Sequence, residues 1–173
     1  IVELYPAGRH IGVLYSERSR ETSLAIEKAA TARGLRATRI PADAAAFPDA
    51  VNALTSSGCD GVLMIPDAKV YNGPNIQRLL LWGIRSKKPV WAFSQKIVKA
   101  GALAGQYAAA PDVSRDAASL ILKIRGGATP SSIGLQYPAR VVRAVNERTA
   151  QVLDLRFSTE SLSKVNERLG AEP

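Results

Sequence analysis

Short apolar runs rich in β-branched residues alternate with helix-period segments through the first hundred residues, and this alternation leaves few folds open. His10-Ile-Gly-Val-Leu-Tyr15 is a continuous apolar run, the pattern of a strand covered on both faces and hence of a parallel sheet. A polar loop, Ser16 to Glu21, leads to a helical stretch from Thr22 to Arg33 that Gly34 stops. Leu35 to Ile40 alternates apolar and polar residues and suits a strand nearer a sheet edge. Asp43 to Ser57 reads as a second helix with Val51 and Leu54 toward the sheet, and Gly61 to Ile65 as a buried strand ended by Pro66. Pro74 opens a third helix, with Ile76, Leu79, Leu80 and Ile84 on one face. Lys88 to Phe93 is a fourth strand, with Trp91 and Phe93 expected on one face. A short helix (Gln95 to Ala100) and a short strand (Ala102 to Gln106) follow.

The pattern changes after Tyr107. Ala108 to Pro111 suits a crossing segment, and Asp112 to Arg125 is an amphipathic helix with Val113, Ala117, Leu120, Ile121 and Ile124 on one face. Tyr137 to Val145 is a strand candidate, followed by two short helices near Glu147 to Asp154 and Ser158 to Leu169. Residues 1–108 therefore read as a three-layer, parallel-sheet, Rossmann-like α/β lobe. Residues 109–173 read as a helix–strand–helix tail with too few strands for a second sheet, the kind of tail that completes a sheet elsewhere.

Composition removes several function classes. No run approaches the roughly 20 apolar residues of a membrane-spanning helix. The chain begins at Ile1 without a basic segment followed by an apolar one, so the expectation is a start further upstream or a removed export signal. Cys59 is the single cysteine and His10 the single histidine. A disulfide within the chain is therefore impossible, a zinc site lacks ligands, and no nucleophile–base pair can be assembled from recognisable motifs. Cys59 reads as a small buried residue. The net charge of +8 raises nucleic acid as a partner, but the basic residues lie in different elements, and neither an aromatic-interleaved motif nor a recognition helix accompanies them. The expectation is no nucleic-acid binding, no enzymatic activity and no cofactor; Gly101-Ala-Leu-Ala-Gly105 has neither phosphate-loop nor dinucleotide spacing.

Ligands of open parallel sheets sit beyond the carboxyl ends of the strands. That rule selects Ser16 to Thr22, Asp67 to Asn72, and Ser94 to Lys96. Ser16, Ser19 and Thr22 can offer hydroxyls and backbone N–H groups to an anionic group, or one of them simply caps the helix. Asp67 can accept an amine or form a local turn with its own backbone. Tyr71 either lines a cleft or covers the end of the sheet. Ser94 supplies a further hydrogen bond.

Several motifs in order resemble a known family. His10-Ile-Gly-Val-Leu-Tyr15, Cys59-Asp-Gly-Val-Leu-Met-Ile-Pro-Asp67, Lys88-Pro-Val-Trp-Ala-Phe-Ser94, Val98-Lys-Ala-Gly-Ala-Leu-Ala104, Arg125-Gly-Gly-Ala-Thr-Pro130 and Val145-Asn146 resemble the later part of ABC-transporter substrate-binding proteins with a periplasmic-binding-protein-like fold, in the branch linked to aromatic amino acids. The resemblance implies the second lobe of a two-lobe receptor, a small-molecule ligand in an interlobe cleft, a transporter permease as partner, and a periplasmic or extracytoplasmic location. A first lobe would precede Ile1, or a second copy of the chain would pair with the uncovered surface. In the resembled pattern Asn stands where Ser16 does, Asn-Ser at Glu21-Thr22, an acidic residue at Ser94, a Tyr pair at Ala110-Pro111 and Gly at Ser114. These departures point away from an aromatic amino acid. They also keep a second reading open, a sensory or scaffold module that retains the fold without transport.

Overall fold

A computed structural model describes residue 5 and residues 8–170. Among the described residues seven strands form one sheet: β1 (His10–Tyr15), β2 (Arg36–Pro41), β3 (Gly61–Leu63), β4 (Val90–Ala92), β5 (Ala104–Tyr107), β6 (Val142–Asn146) and β7 (Glu167–Leu169). Their order is β2-β1-β3-β4-β5-β6-β7, and only the β5–β6 pairing is antiparallel. The helices are α1 (Arg20–Thr31), α2 (Phe47–Ser56), α3 (Gly73–Arg85), α4 (Gln95–Lys99), α5 (Ala110–Arg125), α6 (Pro130–Ile133), α7 (Glu147–Val152) and α8 (Thr159–Ser163).

Strand alternation divides the core between the two faces. Leu14, Ile40, Val62, Met64, Val90 and Ala92 pack with Phe47 and Leu54 of α2, Leu79, Leu80 and Trp82 of α3, and Ile97 and Val98 of α4. On the other face Ile11, Val13, Ala37 and Ile65 meet Ala30 of α1, while Trp91, Leu103 and Val145 meet Ala150 of α7 and Leu153 just after it. This is the three-layer arrangement that continuous apolar strands require. Cys59 is buried and unpaired in the first cluster. Trp91 and Phe93 do not share a face. β4 ends at Ala92, and Phe93 turns to pack near Tyr71, 6.2 Å between ring centroids.

The chain after residue 108 corrects the sequence reading. Val142–Asn146 and Glu167–Leu169 extend the same sheet and so do not serve another one. β7 occupies residues expected to be helical, because parallel pairing with β6 overrides a weak local helix signal. Between β5 and β6 the chain makes an excursion, α5 and α6, whose helices bury no residue. Val113, Ile121, Leu122 and Ile124 of α5 are exposed, as are Leu135, Tyr137 and Val141.

Two positions control the opening of the sheet. Gly61 faces Trp91: a Cβ there would stand 2.5 Å from Cζ3 of Trp91 and 2.7 Å from the Pro89 carbonyl oxygen. Because a backbone atom is among the obstacles, Gly61→Ala should cost about 1–3 kcal/mol, measured by denaturant unfolding. The second is His10, which is buried. An Arg36 guanidinium nitrogen lies 2.7 Å from its Nδ1, and Thr38 Oγ1 lies 2.6 Å from its Nε2. Arginine only donates, so Nδ1 must carry the lone pair and the ring is neutral. Burial, then the charges of Arg36 and Lys88, hold the imidazole below its ordinary value, against Asp60 and the Gly58 backbone. The unfolded chain therefore binds this proton first as pH falls through 6.5. His10 thus contributes stability that is full above the free-imidazole value and lost as pH falls through the folded one. The melting temperature should drop more between about pH 8 and about pH 5 in the native chain than in His10→Asn; equal drops would rule this contribution of His10 out.

Candidate functional site at the carboxyl edge of the sheet

Because β1, β3 and β4 are parallel and adjacent, Ser16, Asp67 and Ser94 follow their strands on the same edge of the molecule. Ser16 also caps the 3-10 turn Glu17–Ser19, which leads directly into α1. Its hydroxyl oxygen accepts from the Arg18 N–H at 3.3 Å.

Asp67 is the centre of the best-defined polar cluster at this edge. It is 7% exposed. Its Oδ2 accepts from the Ser16 N–H at 3.0 Å, from the Ser16 hydroxyl at 2.7 Å and from the Ser19 hydroxyl. Its Oδ1 accepts from the Lys69 N–H at 2.9 Å. Burial alone would raise this carboxyl, but the hydrogen bonds from Ser19, Ser16 and Lys69 outweigh it and hold the group below the usual carboxylate range. The turn bond to Lys69 and the bonds to the β1–α1 loop therefore coexist. The carboxylate is fully engaged inside the protein.

The other expected residues divide. Thr22 is exposed on α1 and takes no part in this cluster. Tyr71 lies in the core, edge-on to Phe47 at 6.5 Å between ring centroids, with its hydroxyl donating to the Leu14 carbonyl at 3.5 Å. Burial, with the Asp67 charge nearby, pushes its phenol up. Ser94 is half-buried, and its oxygen accepts from the Ile97 N–H at 3.4 Å as the cap of α4.

Two hollows open at this edge. One, about 750 Å³, is lined by Ser16, Arg18, Arg20, Arg39, Asp43 and Lys69. Arg39 is already committed there, to Ser23, to Glu27 and to the Tyr15 ring at 4.8 Å. The other, about 500 Å³, is lined by Phe93, Ser94, Lys96, Tyr107, Pro111 and Glu167. A third, about 640 Å³, lies on the sheet face over Trp91 and Val145, beside α8. The second contains a group that local sequence gave no reason to select. The Tyr107 hydroxyl donates to Glu167 Oε2 at 2.5 Å, and Gln95 Nε2 donates to the same oxygen at 2.9 Å. Glu167 is 60 residues from Tyr107 and 72 from Gln95, within a segment read as helix. The Tyr107 and Gln95 hydrogen bonds, with Lys99 nearby, hold Glu167 below its ordinary value against burial. Among the described residues no set of side chains could hold a metal ion.

An open α/β sheet whose polar groups gather at the carboxyl edge, interrupted by an excursion between β5 and β6, is a periplasmic-binding-protein-like fold. The chain belongs to the ABC transporter substrate binding protein family, whose sequence model matches residues 1–168. It is similar in structure to the ABC domain in complex with L-Trp from Streptococcus pneumoniae, with a TM-score of 0.80 and 21% identity over 98% of this chain and 59% of that one. A conserved domain protein from Vibrio cholerae O1 biovar El Tor gives 0.77 at 21% identity, over 96% of this chain and 57% of that one. The ligand-free, open structure of CD0873, a substrate binding protein with adhesive properties from Clostridium difficile, gives 0.70 at 16%, over 98% and 57%. The chain thus spans less than 60% of the length of each of these structures. No curated protein matches it.

Asp67→Ala would leave the Ser16 and Ser19 donors and the Lys69 N–H without their acceptor. We expect a loss of about 2–4 kcal/mol by denaturant unfolding, since charge-assisted bonds and buried unpaired donors are both involved. The carboxylate's contribution is present at neutral pH and disappears as pH falls below the ordinary carboxylate value of 3.8 and through the lower folded one.

Proposed function

We propose that this chain is one lobe of a solute-binding component of an ABC transport system, capturing a small molecule reversibly at the carboxyl edge of the sheet. The observation that carries the reading is the alignment of the Ser16, Asp67 and Ser94 loops along one edge, with hollows on either side of Asp67. Asp67 fixes the two loops that present backbone and hydroxyl groups, Ser94 offers its hydroxyl hydrogen, and Phe93 provides an apolar wall. A facing lobe would close on the solute and exclude water, and closure would be read by a membrane permease in the periplasmic or extracytoplasmic space. The same reading assigns the excursion between β5 and β6, with its exposed Ile121, Leu122 and Leu135, to contact with that facing lobe. A second copy of the chain is the competing occupant of this apolar surface. The role is binding, not catalysis.

A sensory or scaffold module is the second reading. The observation in its favour is Asp67 itself, which already accepts four hydrogen bonds from the protein.

A thermal-shift screen against amino acids, short peptides and small anions tests the first reading. A bound solute at about 100 times its Kd stabilises the folded chain by about 2.7 kcal/mol. Amide resonances shifted by a hit should lie at Ser16 to Ser19, Asp67 to Lys69 and Ser94 to Lys96. Shifts confined to α2 and α3, or silence across the panel from a folded chain, would overturn it.

A further inference from the structure

Glu17 and Asp43 line the hollow beside Ser16, paired with Arg20 and with the Ala45 and Ala46 N–H groups, while Asp67 and Glu167 differ in what they can still accept. Asp67 receives four hydrogen bonds from Ser16, Ser19 and Lys69 and is buried. Glu167 is half-buried and borders the hollow of about 500 Å³. Its close partners, Tyr107 at 2.5 Å and Gln95 at 2.9 Å, converge on Oε2. Its Oε1 holds only a longer contact from the same Gln95 nitrogen, 3.2 Å. Both partners are neutral, and among the described residues no lysine or arginine forms an ion pair with Glu167. The carboxylate is therefore held ionised mainly by neutral donors, with Lys99 nearby and Lys96 on the rim of the same open space, and neither lysine is paired with it. Phe93 and Tyr107 border that space, and aromatic faces attract a cation as a carboxylate does. On the same rim the Ser94 oxygen accepts from Ile97, which leaves its hydroxyl hydrogen to donate.

We propose that Glu167, positioned by Tyr107 and Gln95, is the residue that selects solutes bearing a cationic amine, with the ammonium group bound at Oε1 in the hollow between the β4–α4 turn and the segment after β5. This rests on the solute-binding reading and places amine recognition on Glu167, where the sequence alone suggested Asp67. Neutralising the carboxylate removes the charge–charge attraction but retains the shape of the hollow, because glutamine can still accept from Tyr107.

The test uses the whole chain and three matched probes at millimolar concentration: 2-phenylethylamine, which is cationic at neutral pH, 2-phenylethanol, which is neutral, and phenylacetate, which is anionic. Amide NMR titration should give saturable shifts at Ser94, Gln95, Tyr107 and Glu167 with the amine, and at least about tenfold weaker binding of the two others. Glu167→Gln should weaken amine binding about tenfold and abolish the discrimination, with the chain still folded by its amide spectrum. Tyr107→Phe keeps the carboxylate and should keep the discrimination. Equal binding of the amine to the native chain and to Glu167→Gln would overturn the assignment. Preference for phenylacetate or 2-phenylethanol at the same edge would overturn the amine class while the solute-binding reading stands. No binding of any probe, together with silence in the wider solute screen, would remove both.

Discussion

Asp67 and Ser16 are separated by 51 residues, yet the carboxylate of one accepts both the backbone N–H and the hydroxyl of the other. With Ser19 and Lys69 added, one buried charge joins the exit of β1, the entry to α1 and the exit of β3. The arrangement is economical because each donor would otherwise be a polar group close to the core without water. It also sets the geometry of the whole carboxyl edge. The β1–α1 loop cannot move relative to β3 without leaving a buried charge unpaired, so the hollow lined by Ser16 and Lys69 is braced from behind.

The rest of the edge depends on an antiparallel join made late in the chain. After β5 the polypeptide leaves the sheet for the excursion 108–141, then returns as β6 alongside β5, with Tyr107 opposite Val142. β7 then pairs with β6 and brings Glu167 back to Gln95 and Tyr107. The excursion thus begins and ends at the same place on the sheet. Its apolar residues Val113, Ile121, Leu122 and Leu135 stay exposed. The covering of β5 by β6 also removes an edge strand that would otherwise stand open beside the core.

Much of the lobe could be read from local patterns. The runs His10–Tyr15 and Gly61–Ile65 are apolar without interruption because helices cover both faces, and the third helix carries Ile76, Leu79, Leu80 and Ile84 at helical spacing, with Leu79 and Leu80 buried. The strand-end rule located Ser16, Asp67 and Ser94, since parallel strands carry their exits to one side. It gave no information about which polar atoms would remain free after folding. Tyr71, one of the residues it selected, became part of the core because Phe47 and the Leu14 carbonyl lie within its reach. Glu167 escaped it, because β7 is three residues long and owes its existence to pairing with β6.

By itself the sequence determined the layered α/β architecture and the edge on which polar groups would gather; periodicity and composition are local quantities and need no fold to be read. Only the tertiary structure decided that residues 142–170 complete this sheet, that Asp67 spends its charge on Ser16, Ser19 and Lys69, and that Glu167 keeps a lone pair beside open space. Those outcomes depend on which donors meet which acceptors across 48 to 72 residues of chain, and such meetings are fixed by the packing of the sheet, with no trace in the spacing of the residues themselves.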